Sequence, residues 1–184
     1  MRRLDTRIDG LVLVEPDVHG DARGFFVETF RADAWAAEGV DAAFVQDNQS
    51  RSRRGTLRGL HFQTHPGQAK LVRVAHGAVL DVVVDLRRGS PTFGQWEGVE
   101  LTDERGEVLW IPVGFGHGFL VMSEVADFVY KCTNYYDPAT EAGIRYDDPD
   151  VGVAWPSDIE LLYSARDAEA PLLSEIADSL PFTV

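Results

Sequence analysis

Short apolar runs recur through the middle of the chain, and their spacing constrains the fold more than any other feature of the sequence. Residues 71–74, 79–86 and 128–134 are three such runs, separated by turn signals of Gly, Pro, Asp and Ser. The runs follow one another at intervals of roughly 8–12 residues, with no helical pattern between them. This arrangement predicts an all-β fold, a β-sandwich or β-barrel, rather than an α/β sheet.

The rest of the chain predicts further short strands and a few short peripheral helices. Residues 31–38 are rich in alanine and are followed by Gly39, a suitable C-terminal cap, which predicts a helix. A second small helix is expected around residues 171–180. A chain of 184 residues is predicted to form one domain, residues 1–184. The remaining predicted strands are residues 11–14, 25–27, 44–48, 60–63, 95–101, 108–111 and 119–122.

The composition is that of a folded, acidic protein. Hydrophobic residues make up 45% of the chain and the net charge is −13, which argues against a nucleic-acid or anionic-membrane partner. Basic residues nevertheless cluster locally, and this cluster indicates a small anionic ligand or, alternatively, surface arginines that balance neighbouring acids. The cluster consists of Arg51, Arg53, Arg54, Arg58, Lys70 and Arg73.

The cellular location is predicted to be cytoplasmic. Cys132 is the only cysteine, so an intrachain disulfide is excluded and a reducing compartment is favoured. No apolar run approaches the ~20 residues that span a bilayer. The first ten residues lack the apolar core of a secretion signal.

A half-buried strand at residues 60–63 carries the first candidate site residues. Apolar and polar residues alternate there, which places His61 and Gln63 on one face. Strict alternation would place Arg58 and His61 on opposite faces. If both serve one site, a β-bulge near Gly59 is required.

His61 is a candidate acid–base group, because an imidazole titrates near neutral pH, although a strand histidine can also be purely structural. A carboxylate usually orients such a base, and Asp81, Asp85 and Asp167 are the candidates, between which the sequence does not choose. Lys70 can supply positive charge to an oxyanion or be an ordinary solvated turn lysine.

Residues 106–117 fit the spacing of the second cupin motif, with Gly106, Pro112, Gly114 and His117. The motif predicts a jelly roll in which His117 is directed into the barrel mouth. Many cupins bind a metal through histidines and a glutamate, but Gln63 stands where the second histidine of the first motif is expected and no acid follows closely. Two imidazoles and an amide are poor ligands for a divalent ion, so neither a metal nor another cofactor is expected.

Several long segments resemble the dTDP-4-dehydrorhamnose 3,5-epimerase family, metal-free cupins that act on nucleotide-linked 4-ketosugars. The resemblance covers nearly the whole chain, from DARG at residues 21–24 to SARD at residues 164–167. The most specific segments are LRGLHFQ, QAKLVRV, DVVVDLRRGSPTFGQW, WIPVGFGHGF and YKCTNYYDP.

The resemblance implies a role for each site residue. His61 would be the catalytic base, Asp167 its carboxylate partner, Tyr130 the acid on the opposite sugar face, and Lys70 the neighbour of the C4 oxygen. The segment around Arg23 would cross from a partner subunit, which implies a homodimer. The residues implied to bind the substrate are Arg23, Glu28, Gln46, Asn48, Arg58, His117, Tyr136, Glu141 and Arg166.

The function implied is epimerisation of dTDP-4-dehydro-6-deoxy-D-glucose at C3 and C5. One alternative is a single-centre epimerase of a dTDP-4-keto-6-deoxyhexose from a natural-product deoxysugar pathway, which shares the same histidine–tyrosine pair. A second alternative is a non-catalytic cupin that binds nucleotide sugars. The presence of both His61 and Tyr130 argues against the second alternative.

Overall fold

The computed structural model describes the whole chain, residues 1–184. Three short α-helices, α1 (Ala32–Ala37), α2 (Ala165–Ala168) and α3 (Leu173–Ile176), and a 3₁₀ turn (Ala177–Ser179) lie at the periphery. The strands are β1 (Arg2–Leu4), β2 (Val12–Glu15), β3 (Val18–Asp21), β4 (Gly24–Val27), β5 (Gln46–Arg53), β6 (Leu57–Gln63), β7 (Lys70–His76), β8 (Ala78–Asp85), β9 (Trp96–Thr102), β10 (Val108–Ile111), β11 (Phe115–Val121), β12 (Val125–Cys132) and β13 (Glu141–Gly143).

The strands form two antiparallel sheets that pack against each other, and a separate hairpin. One sheet has six strands in the order β1-β2-β10-β7-β12-β5, and the other has five in the order β13-β6-β11-β8-β9. β3 and β4 pair only with each other. The sandwich confirms the predicted all-β fold with a few short helices. None of the helices is long and apolar enough to cross a membrane.

The main core lies between the two sheets. Val72 of β7, Val83 of β8 and Phe128 of β12 are among its 15 buried residues. The outer faces are covered too: Trp35 of α1 packs on the six-stranded sheet, and Phe182 of the C-terminal segment packs on the five-stranded sheet. Burial on both faces explains why β8 reads as a nearly continuous apolar run.

The strand predicted at residues 44–48 has different bounds in the structure: β5 begins at Gln46 and continues to Arg53. It pairs with β12 along its whole length and lies at the edge of the sheet. Its alternate residues, Ser50 and Ser52 among them, are the less exposed ones, while the arginines between them are exposed. The strand therefore has the period of a β-strand without an apolar face, which an apolar-pattern search misses.

A β-bulge lies near Gly59, where the sequence predicts one on the condition that Arg58 and His61 serve one site. His61 pairs with His117 and Arg58 pairs with Phe119, so three steps along β6 match two steps along β11. The extra residue changes the parity of the strand, and both Arg58 and His61 line one cavity. A Cβ atom at Gly59 would collide with the backbone of Gly118, so glycine is required at this close approach.

β11 begins earlier than the strand predicted at residues 119–122. It starts at Phe115 and includes His117, which therefore lies inside a strand. Strands β6 and β8 pair with it on either side, and every residue of β11 is buried. Pairing on both sides stabilises this glycine-rich strand despite its low intrinsic β propensity.

Candidate active site

A cavity of about 630 Å³ lies between the two sheets. Residues of β5, β7 and β12 form one wall, and residues of β6 and β11 form the opposite wall. Residues 162–167 of the C-terminal segment complete the lining. The ionisable side chains that line it are Arg53, Arg58, His61, Lys70, His117, Tyr130, Tyr163, Arg166 and Asp167.

The predicted basic cluster divides between this cavity and the outer surface. Arg53, Arg58 and Lys70 line the cavity, whereas Arg51 extends away from it and pairs with Asp127 at 2.6 Å. The cavity thus collects positive charge in a protein whose net charge is −13. Such a site suits an anionic ligand.

His61 and Asp167 form a close pair on the β6 wall. The Nε2 atom of His61 lies 2.6 Å from Oδ1 of Asp167, and the carboxylate is almost completely buried. Burial would raise the pKa of Asp167, but the hydrogen bonds with His61 and Ser164 outweigh it and hold that pKa below its usual value. Asp167 therefore stays ionised beside the imidazole and orients it.

Asp167 reaches His61 because the C-terminal segment is tied to the start of β6. The Leu57 N–H donates to the Leu162 carbonyl at 2.8 Å, and the Leu162 N–H donates to the Gly55 carbonyl at 2.8 Å. Ser164 then caps α2 by accepting a hydrogen bond from the Asp167 N–H at 3.1 Å. Backbone pairing rather than proximity in sequence brings the carboxylate to the histidine.

Lys70 and Tyr130 lie on the opposite wall, on the neighbouring strands β7 and β12. The Lys70 ammonium is 6.0 Å from the centre of the Tyr130 ring. Burial disfavours the charged form of each side chain. It therefore lowers the pKa of Lys70 and raises the pKa of Tyr130. The alternative interpretation of Lys70 as a solvated turn lysine is wrong, since the residue opens a strand and is partly buried inside the sandwich.

His117 forms a second histidine–carboxylate pair at the bottom of the cavity. Its Nε2 lies 2.9 Å from Oδ2 of Asp81, and its ring stacks against Phe128. Burial lowers the pKa of His117 although Asp81 opposes the shift. Asp81 is therefore not the partner of His61, and neither is Asp85, which instead accepts hydrogen bonds from the turn that follows β8.

The sequence analysis missed Ser52, which does not line the cavity itself but positions Arg58, which does. Its hydroxyl oxygen accepts hydrogen bonds from Nε and Nη2 of Arg58 at 3.3 and 3.2 Å, which fixes the guanidinium at the cavity wall. In the sequence, the one alternating signal is Ser-Arg-Ser-Arg at residues 50–53, in which small and long polar side chains alternate with the period of a strand.

A second, smaller cavity of about 260 Å³ adjoins the first and shares His61, Lys70 and Tyr130 with it. Tyr136 donates a hydrogen bond from its hydroxyl to Glu141 at 2.7 Å, and Arg166 pairs with the same carboxylate at 2.7 Å. Burial would raise the pKa of Glu141, but Tyr136 and Arg166 outweigh it and lower that pKa. The predicted binding residues that line this second cavity are Gln46, Asn48, Tyr136 and Glu141.

Arg23 and Glu28 are not brought to either cavity within the single chain. Arg23 lies at the tip of the β3–β4 hairpin, where its side chain is 90% exposed and pairs with Asp21. Glu28 follows β4 and is also exposed. All the other predicted site residues line at least one of the two cavities.

No group of three or more His, Cys, Asp or Glu side chains is arranged to hold a metal ion. Gln63, at the position where metal-binding cupins carry a histidine, is 4% exposed and engages backbone groups of residues 135 and 137. Independence from metal remains a prediction.

Comparison with known proteins relates this site to one family. A family model described as dTDP-4-dehydrorhamnose 3,5-epimerase matches residues 5–175. A relative with that name from Neisseria gonorrhoeae is 50% identical over 165 residues, which cover 89% of this chain and 50% of the relative, so the chain spans half of its length. A dTDP-4-dehydro-6-deoxyglucose 3-epimerase from Streptomyces bikiniensis is 46% identical, covering 91% of this chain and 86% of the relative.

A solved structure matches along the full chain. It is a dTDP-6-deoxy-D-glucose-3,5-epimerase from Legionella pneumophila in complex with dTDP-4-keto-L-rhamnose. The TM-score is 0.96 at 49% sequence identity, with coverage of 100% of this chain and 98% of the other. Sequence and fold agree, and the chain belongs to the dTDP-4-dehydrorhamnose 3,5-epimerase family.

Proposed function

We propose that this protein epimerises dTDP-4-dehydro-6-deoxy-D-glucose at C3 and C5 to give dTDP-4-dehydro-L-rhamnose. The observation that carries the proposal is the placement of acid–base groups on two walls of one cavity. His61, with Asp167 of α2 beside it, belongs to one sheet, and Tyr130 belongs to the other. Inversion of a carbon needs proton removal on one face and proton return on the opposite face, so two opposed groups are the minimum requirement.

The chemistry follows from the ketone at C4 of the substrate. The ketone acidifies the hydrogens on C3 and C5, so one base, His61, can serve both carbons in turn. Proton removal gives an enolate, whose oxygen Lys70 stabilises by its positive charge in the low-dielectric interior. Tyr130 then donates a proton to the opposite face. No redox cofactor takes part, because the ketone is already present in the substrate.

The diphosphate of the nucleotide is assigned to the arginines. Arg58, which Ser52 holds in place, and Arg166 at the mouth present guanidinium groups that can pair bidentately with phosphate oxygens. His117, Asn48 and Gln46 supply further polar groups along the two cavities.

We further propose that the protein acts as a homodimer in the cytoplasm and that Arg23 and Glu28 serve the site of the partner chain. The β3–β4 hairpin supports this, because Phe25 and Phe26 are 66% and 69% exposed at its surface. Two adjacent exposed phenylalanines mark an interaction surface rather than a solvated turn.

A single-centre epimerase is the second candidate. The 46%-identical Streptomyces bikiniensis relative is named a 3-epimerase, and it supports this alternative because its sequence is almost as similar to this chain as that of the 3,5-epimerase from Neisseria gonorrhoeae. The same base and acid would serve either reaction, so the number of reacting carbons depends on how the sugar is placed.

Product analysis by NMR tests the proposal. The purified protein is incubated in heavy water with dTDP-4-keto-6-deoxyglucose, with and without a metal chelator. We expect deuterium at both C3 and C5, an L-configured product, and the same rate in both samples. Label and inversion at one carbon would assign the single-centre reaction. A chelator-sensitive activity restored by one metal would contradict the metal-free mechanism, and an unchanged substrate would contradict the proposed function altogether.

A further inference from the structure

Residues 135–137, between β12 and β13, carry Tyr136 to the mouth of the second cavity without any regular structure of their own. Tyr135 and Tyr136 are 72% and 51% exposed, so apolar burial does little to fix this segment. Its position must therefore come from hydrogen bonds, since a short exposed loop otherwise samples many conformations.

Two glutamine side chains supply three hydrogen bonds, and each of the residues 135, 136 and 137 takes part in one of them. Gln63 Nε2–H donates to the Tyr135 carbonyl at 3.3 Å, and the Asp137 N–H donates to Gln63 Oε1 at 3.0 Å. Between them, the Tyr136 N–H donates to Gln46 Oε1 at 2.9 Å. Gln63 is 4% exposed, so its amide is buried and both of its ends are used on this segment.

We propose that Gln63 is a positioning residue for substrate binding: its buried amide clasps residues 135–137 and so holds Tyr136 at the cavity mouth. Gln63 stands at the position where metal-binding cupins carry a histidine. A glutamine there offers a donor and an acceptor at fixed spacing, which matches the Tyr135 carbonyl and the Asp137 N–H. The position that holds a metal ligand in metal-binding cupins thus holds a side chain that bonds the backbone here.

The clasp acts on a chain of polar contacts. Tyr136, once held, donates its hydroxyl to Glu141, and Glu141 in turn pairs with Arg166, which lines the main cavity. Glu141 also lies opposite Gln63 in the β13–β6 pairing. Loss of the clasp therefore releases Tyr136 first and loosens the Glu141–Arg166 pair after it. This role rests on the proposed function and on the family resemblance, which implies that Tyr136, Glu141 and Arg166 bind the nucleotide sugar.

The test is a double-mutant cycle between Gln63 and Tyr136, read out by calorimetric affinity for dTDP and by steady-state kinetics. Gln63→Leu should raise both the Kd for dTDP and the KM for the ketosugar by ~10-fold, while kcat changes less than ~3-fold, as expected when a binding loop loses two partly buried hydrogen bonds. In a Tyr136→Ala background the same change should alter Kd less than ~2-fold, because the residue it positions is already gone.

Thr64→Val is the matched control. Thr64 follows Gln63, and its hydroxyl bonds the Thr140 carbonyl at 3.1 Å, so the variant removes one hydrogen bond to the same connection but not to residues 135–137. It should leave Kd within ~2-fold of wild type. If Gln63→Leu does not fold, Gln63→Glu replaces it in the cycle, because it keeps the shape of the side chain but cannot donate to Tyr135.

Three outcomes would overturn the clasp: an unchanged Kd in the Gln63 variant, an equal loss of affinity in both Tyr136 backgrounds, or an equal loss in Thr64→Val. A wild-type protein that binds dTDP but leaves the ketosugar unchanged would instead refute the proposed function. The binding cycle with dTDP would still decide whether Gln63 positions Tyr136.

Discussion

At the scale of single residues, burial is the main influence on the protonation states of Tyr130 and Lys70 in the cavity. Burial raises the pKa of Tyr130, so its phenol keeps its proton at neutral pH, as a proton donor must. The same burial lowers the pKa of Lys70, while the carboxylates of Asp81 and Glu141 oppose the shift and favour its charged form. The cavity therefore combines a neutral acid with a lysine whose charge depends on neighbouring carboxylates.

His61→Asn tests the proposed base. Asparagine fills similar space and can still reach Asp167, but it cannot accept a proton at neutral pH. The variant should lose deuterium uptake from heavy water at both C3 and C5, with turnover reduced by ~10²–10⁴-fold. His65→Asn, an exposed histidine outside both cavities, is the control and should keep full exchange. Full exchange in His61→Asn, measured by NMR, would refute the role of His61.

Tyr130→Phe separates proton removal from proton return. The variant lacks the hydroxyl that we propose reprotonates the opposite face, so net inversion should fall by ~10²–10⁴-fold. Some deuterium should still enter, because His61 can return a solvent-exchanged deuteron to the face it came from. Tyr163→Phe removes another hydroxyl from the cavity lining and should retain inversion. Normal inversion in Tyr130→Phe would assign the acid to another group.

At the scale of strands and turns, the sequence predicts what depends on apolar periodicity and local stereochemistry. The sandwich and the bulge near Gly59 were accessible in this way, the bulge because Arg58 and His61 could not otherwise share a face. The extent of β5 was not, since its inner residues are polar. Local patterns did not choose Asp167 over Asp81 and Asp85 either, because the partner lies 106 residues from His61; in the sequence only the family resemblance pointed to it.

The turn between β8 and β9 offers a stability prediction at this scale. Asp85 is fully buried and accepts hydrogen bonds from the side chains of Arg87, Ser90 and Thr92. Burial alone would raise its pKa, but these bonds prevail and lower the pKa of Asp85 from 3.8 to about 2. Because the folded pKa lies below the unfolded one, the carboxylate stabilises the fold above pH ~4, and this contribution is lost as the pH falls through ~2.

Asp85→Asn should therefore lower the free energy of unfolding by about 2 kcal/mol at pH 7. The difference between wild type and variant should shrink steadily below pH ~4, as denaturant titrations at a series of pH values would measure. Asp158→Asn, at an exposed site, should leave stability within ~0.5 kcal/mol at every pH. A difference that stays constant down to pH ~2 would show that the charge of Asp85 contributes nothing.

At the scale of the whole molecule, the cavity of one chain contains the proposed base, acid and cation, but two predicted binding residues lie outside it. Arg23 and Glu28 lie on or beside an exposed hairpin that pairs with no other strand. If a second copy receives this hairpin, each complete site contains residues of two chains. A closed two-fold dimer would then hold two such sites.

Subunit mixing tests this arrangement. Arg23→Ala and His61→Ala chains, each strongly impaired alone, are combined and allowed to exchange. In a hybrid dimer, the Arg23→Ala chain keeps its own His61 and receives an intact Arg23 from its partner, so one of the two sites is complete. A 1:1 mixture makes half of the dimers hybrid and should recover about one quarter of wild-type activity.

The control for subunit mixing combines two substitutions that affect the same cavity. His61→Ala and Tyr130→Phe both alter residues that one chain contributes to its own cavity, so no hybrid contains a complete site and no activity should return. Exchange itself is measured with two affinity tags, so that a failure to mix is not mistaken for a negative result. If the first pair exchanges fully and recovers nothing, Arg23 either serves its own chain or no site at all. In that case the exposed hairpin does not complete the partner's site, and the shared-site dimer is wrong.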